Sequence, residues 1–136
     1  MANFNIGARE AVIASFARTP IGKAYRGAFN DTGAPALAGA AIAAAVERAG
    51  IDGAEVDDCV MGCAMPQGSS GLNIGRSGAL AAGLPVSVSG MTLDRQCSSG
   101  MMAIATAAKQ ILADGMTTVV GGGVECRMST RTPTAC

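Results

Sequence analysis

Short β-branched or apolar runs alternate with Ala-rich stretches of helical character, and that alternation is what most constrains the fold. "EAVIASFA" (Glu10 to Ala17) reads as a buried first strand, stopped at "RTPIGK" by Pro20 and Gly22. "TGAPALAGAAIAAAVERAGI" reads as a helix: Pro35 suits a first turn, Leu37, Ala41, Ala44 and Ala45 share a face, Glu47 and Arg48 mark a wet edge, and Gly50 can end it. That face argues against a low-complexity linker. "EVDDCVMGCAM" supplies a second strand after an acidic turn, "NIGRSGALAAGLP" a helix closed by Gly83 and Pro85, and "SVSGMTLD" a third strand. In the next helix Met101, Ile104, Ala105, Ala108, Ile111 and Leu112 recur at helical spacing. Thr106, Lys109 and Gln110 leave it a narrow polar strip, so it should be mostly buried. "TTVVGGGVE" runs into three glycines and fits a central strand whose end another backbone approaches, although a plain strand with a loose turn has the same composition. The pattern predicts a layered α/β fold with a largely parallel sheet flanked by helices and no internal repeat.

Composition sharpens this. Aromatic residues make up 3% of the 136, with no Trp and one Tyr, so the core must be built from Ala, Val, Ile, Leu and Met. Ten basic and ten acidic residues cancel, leaving no basic field for nucleic acid or an anionic membrane face. The first residues lack the charged and apolar regions of a secretory signal, and no apolar run reaches the ~18 residues a bilayer span needs. A soluble, cytoplasmic protein is the expectation. The loop "PQGSSGLNIG" precedes a helix, but with neither G-x-G-x-x-G nor a P-loop ending it reads as a flexible connection and not a phosphate cradle.

Five cysteines, Cys59, Cys63, Cys97, Cys126 and Cys136, form an odd set without a C-x-x-C pair, and the chain has no histidine. That argues against both a disulfide scaffold and a metal site. Cys59 and Cys63, inside "DCVMGCAM", read as packing residues. Cys97 differs, because "DRQCSSGMMAIATAAKQIL" places it between a polar turn and a helical run, in the first turn of that helix. Unpaired N–H groups and the positive dipole end there favour a thiolate, the form that attacks carbonyl carbon. The alternative is a buried thiol acting as a small hydrophobe. Ser98, Ser99 and Gly100 suit shaping the turn better than chemistry. Without histidine, a Cys-His pair cannot be completed within these residues.

The blocks "EAVIASFARTPIGK", "ERAGIDGAEVDDCVMGCAMPQG", "GRSGALAAGLPVSVSGMTLDRQCSSGMMAIATAAKQI" and "VVGGGVE" follow one another in the order and at the separations of a known family. From about Glu10 to Glu125 the chain resembles the N-terminal half of a thiolase, an acyl-CoA acetyltransferase that cleaves or forms 3-oxoacyl-CoA. "RTPIG" and the Cys97 block favour this over a ketoacyl synthase. The resemblance implies a thiolase-like layered α/β half over residues 1–125, incomplete as a domain, with residues 126–136 a divergent or truncated tail. It implies Cys97 as nucleophile, taking up the acyl group as a thioester with ping-pong exchange. Backbone N–H groups at the helix start would support the oxyanion. Coenzyme A would be substrate or product, with no prosthetic group and no metal, and the full-length form would be a homodimer or homotetramer.

In the family a second half supplies an activating histidine, a second cysteine and an asparagine-containing motif. No G-H-P, N-E-A-F or C-x-G segment is present here, Cys126 and Cys136 lack the context of a general base, and most of the coenzyme A-binding loop region would follow this point. The chain alone is therefore expected to be inactive. The family's Ser and Met-Ser continuation is interrupted by Cys126 and Arg127, which fits a frame change or gene-fragment boundary near Cys126.

Overall fold

A computed structural model describes residues 9–126. Its centre is a three-stranded parallel sheet of β1 (Asp58–Gly62), β2 (Ser89–Leu93) and β3 (Val119–Gly123), in the order β2-β1-β3. β1 is buried along its whole length, as a strand paired on both sides and covered on both faces must be. Its side chains alternate between two layers. Cys59, Met61 and Cys63 enter a core with Ala38 and Ile42 of α1 (Ala34–Ala49) and Ile74 and Ala79 of α2 (Ile74–Ala81). Gly62 faces the other way, onto the start of α3 (Ser99–Ala113). The layered α/β fold with a parallel sheet and flanking helices is the one expected.

Local signals set the helix ends. Pro35 lies in the first turn of α1, and Gly50 ends it in the left-handed conformation at φ 68°. The Asn73 side chain caps α2 by accepting the Arg76 N–H at 3.1 Å. Behind β1, Asp57 accepts the N–H groups of Thr117 (2.7 Å) and Thr118 (3.2 Å), pinning the turn into β3. These bonds hold its carboxyl below the usual carboxylate range.

Four expectations need correction. The first, "EAVIASFA", forms no strand: Val12, Ile13 and Phe16 are 77%, 79% and 81% exposed. Its attachments are single bonds, from Ser15 Oγ to the Ala45 carbonyl and from Arg48 to the Phe16 carbonyl. A strand needs a partner, and none of the three described strands pairs with it. Second, β3 is an edge strand among the described residues and not a central one. The close approach at its glycines is present, since a Cβ on Gly123 would lie 3.0 Å from the Gly100 Cα. Third, α3 buries only Ser99, Ala103 and Ala107, leaving Met101 73% and Ile104 49% exposed, because the sheet covers one side of the helix alone. Fourth, α1 buries Ala34, Ala38, Gly39 and Ile42, the stripe next to the one read from sequence. Gly39 lets α1 approach α2 so closely that a Cβ there would lie 2.8 Å from the Ala81 carbonyl carbon. Of the proposed tail, residues 126–136, all but Cys126 lie outside the described residues. No helix among those described is long and apolar enough to cross a membrane.

Candidate active site

Parallel pairing in register places Gly62, Leu93 and Gly123 side by side at one edge of the sheet, where the strands end. In open α/β sheets that carboxyl edge is where ligands bind. The chain leaves β2 there and turns through Asp94–Ser98 into α3, and Cys97 sits on this turn, exposed. It precedes the N-cap, Ser98, and so stands just outside the first helical turn that the sequence suggested.

A dense set of local bonds shapes the turn. Asp94 Oδ1 accepts the Gln96 N–H at 2.8 Å, an Asx turn that starts the reversal. Gln96 has φ 51°, a left-handed conformation uncommon outside glycine. The Ser98 and Ser99 N–H groups donate to the Arg95 and Gln96 carbonyls at 3.1 and 3.0 Å. Ser99 Oγ accepts the Arg95 N–H at 2.8 Å and donates to the Gln96 carbonyl at 2.6 Å, while Ser98 Oγ donates to the Arg95 carbonyl at 2.8 Å. Both hydroxyls are thus committed to holding the turn. The next first-turn N–H groups, those of Gly100 and Met101, donate to no backbone carbonyl among the described residues, as is usual for the first turn of a helix.

The floor beneath the turn is made of glycine. A Cβ on Gly62 would overlap the Ser99 carbonyl group and lie 2.6 Å from the Gly100 nitrogen, so only glycine lets β1 pass this close under α3. Cys59 and Cys63 are buried at 0% and 1% exposure, as packing residues. Burial, with the Asp58 charge adding, pushes the Cys59 thiol up to about 12. Burial also raises the Cys63 thiol, with the charge of Glu125 contributing. Of these three free thiols only Cys97 meets solvent. Among the described residues no three His, Cys, Asp or Glu side chains gather as a metal site.

Sequence reasoning placed Cys97 and the serines on this turn and gave no part to Gln96 and Glu125. Gln96 carries no local signal, because left-handed positions usually announce themselves as Gly, Asn or Asp. Glu125 acts across 61 residues, its Oε2 accepting the Ala64 N–H at 3.0 Å.

Comparison with known proteins agrees with this fold. Residues 11–135 match the family described as Thiolase, N-terminal domain. The chain is 40% identical over 117 residues to a 3-ketoacyl-CoA thiolase of Bacillus subtilis, covering 86% of this chain and 30% of that protein. It is 42% identical over 118 residues to a beta-ketoadipyl-CoA thiolase of Pseudomonas aeruginosa, covering 86% and 29%. The crystal structure of the Bacillus anthracis acetyl-CoA acetyltransferase superimposes with a TM-score of 0.78 at 41% identity, over 84% of this chain and 28% of that one. The chain thus spans under a third of the length of these relatives. It belongs to the thiolase family, matching the family's N-terminal domain.

Proposed function

We propose that Cys97 is the acyl-accepting nucleophile of a thiolase-type acyltransferase, acting on acyl-CoA. The observation that carries the reading is the exposed thiol on a braced, left-handed turn at the carboxyl edge of the sheet, against a helix start. In thiolysis the Cys97 thiolate would attack the 3-keto carbon of a 3-oxoacyl-CoA. The bond between C2 and C3 breaks, the acyl group stays on sulfur as a thioester, and acetyl-CoA leaves after its α-carbon takes a proton. A second coenzyme A thiol then takes the acyl group. The Gly100 and Met101 N–H groups are suited to stabilise the oxyanion of the tetrahedral intermediate.

A general base contributes roughly 10²- to 10⁴-fold in such reactions, and these residues contain no histidine to serve as one. The chain by itself should therefore show no sustained thiolysis of acetoacetyl-CoA. Joining it at Glu125 to the remaining length of the Bacillus anthracis relative should restore turnover, and Cys97→Ala should abolish it. A folded, inactive fusion, or one that survives Cys97→Ala, would overturn the proposal.

The exposed apolar face of α3, with Met101 and Ile104, and the unpaired Val12, Ile13 and Phe16 favour a second reading. Exposed apolar surface of this kind is ordinarily covered, so the chain would serve as a noncatalytic piece that associates with another subunit. Sedimentation decides: association is expected, and a monodisperse monomer without an added partner counts against it.

A further inference from the structure

We infer that Glu125 is a positioning residue for the Cys97 turn, tying together the strand ends on which that turn rests; the inference builds on the reading of Cys97 as nucleophile. The junction of turn and helix stands on two glycines. Gly62 lies directly under Ser99 and Gly100, and a Cβ on Gly123 would lie 3.0 Å from the Gly100 Cα and 3.2 Å from the Gly62 carbonyl oxygen. Just past these glycines the strands are joined by single bonds. Val124 N–H donates to the Gly62 carbonyl at 3.0 Å, and Cys63 N–H donates to the Leu93 carbonyl at 3.0 Å. One residue further, Glu125 closes the set: Oε2 accepts the Ala64 N–H at 3.0 Å, and Oε1 lies 3.9 Å from Cys63 Sγ. The ends of β2, β1 and β3 are thereby laced in sequence, with the Glu125 carboxylate as the last knot.

β3 is the edge strand among the described residues, so its exit has ladder bonds on one side only. Without the carboxylate, the stretch after Gly123 keeps one hydrogen bond to β1, from Val124, beside the packing of Val124 and Cys126 against the core. Fraying there removes Gly123 from Gly100 and loosens the first turn of α3, whose N–H groups flank Cys97. The carboxylate works as a hydrogen-bond acceptor of the right reach and not as a charge. A glutamine carbonyl can replace it, whereas an aspartate is one methylene too short.

The test compares the purified chain with Glu125→Gln, Glu125→Asp and Glu125→Ala. The readouts are the rate of Cys97 alkylation by iodoacetamide, followed by peptide mass mapping, and amide hydrogen exchange over residues 94–101. Glu125→Gln should keep the alkylation rate within about twofold of the parent, while the Asp and Ala variants should slow it by about threefold or more as the supporting N–H groups lose their aim. In those two variants exchange over the turn should quicken about tenfold, the mark of a locally weakened unit, with helix content by circular dichroism unchanged. Parent-like behaviour of all variants overturns the inference. So does a Gln variant as impaired as Ala, since that result assigns the effect to charge. Should Glu125→Ala fail to fold, the Gln against Asp comparison decides by the same criteria. Because acyl transfer is not a readout, failure of Cys97 as nucleophile and failure of Glu125 as its support remain separable.

Discussion

Gly62→Ala strikes the contact on which the whole site depends. The added Cβ would overlap the Ser99 carbonyl and sit 2.6 Å from the Gly100 nitrogen, where carbon contacts of ~3.5 Å or more are normal. Those atoms are backbone in the first turn of α3, so no side chain can swing aside, and either the helix lifts or β1 bends. Overpacking of this kind typically costs about 1–3 kcal/mol, and a rigid backbone partner places it at the upper end, near ~3 kcal/mol. For a chain of 136 residues each kcal/mol moves the melting point by roughly 3–4 °C, so a drop on the order of 10 °C is expected in a thermal melt followed by circular dichroism. Gly100→Ala, across the same contact, is the control. Its Cβ would meet Gly123 at 3.7 and 3.9 Å, ordinary contact distances, and a helical alanine gains up to ~1 kcal/mol over glycine. That variant should melt at or slightly above the parent. If Gly62→Ala melts within ~2 °C of the parent, or Gly100→Ala proves the worse of the two, the account of how α3 is seated is wrong.

Other expectations follow from the same contacts. Gln96→Gly should raise stability slightly, since it releases a left-handed side-chain residue that costs on the order of 1 kcal/mol against the added chain entropy of glycine; denaturant titration measures it, and a clear loss would contradict the strain. Asp57, whose folded pKa is depressed, contributes stability that is present above its unfolded value near ~3.9 and is lost as pH falls through the lower folded value. Asp57→Asn should therefore flatten the acid limb of a pH–stability curve below about pH 4, and an unchanged limb would remove Asp57 from the account. Timed alkylation of the native chain should label Cys97 well before Cys59, whose thiol stays protonated up to about 12; early labelling of Cys59 would mean that β1 is not the closed centre of the sheet.

The sequence was informative wherever a local signal decides the outcome. Pro35 and Gly50 bound α1, the apolar run after the acidic turn became β1, and the polar turn before an apolar helix picked out Cys97 from among the cysteines. It misled where the outcome depends on a partner. "EAVIASFA" has a strand's composition, but pairing is a property of two segments, and no described strand joins it. Likewise Met101 and Ile104 carry the pattern of a helix apolar nearly all round, which marks burial only if something lies on each side. The site splits the same way. Cys97, Ser98 and Ser99 are legible because their bonds are local, whereas Glu125 meets Ala64 only after β1 and β3 align.

The most direct test of the central claim is peptide mass mapping of the chain after incubation with acetyl-CoA, in parallel with Cys97→Ala. A single acetyl group on the peptide containing Cys97, removed by hydroxylamine or by added coenzyme A and missing from the variant, is the expected result. Acetylation confined to other residues, or no acyl group on Cys97 even in the fusion that supplies the rest of a thiolase, would contradict the claim that this turn presents an acyl-accepting thiol.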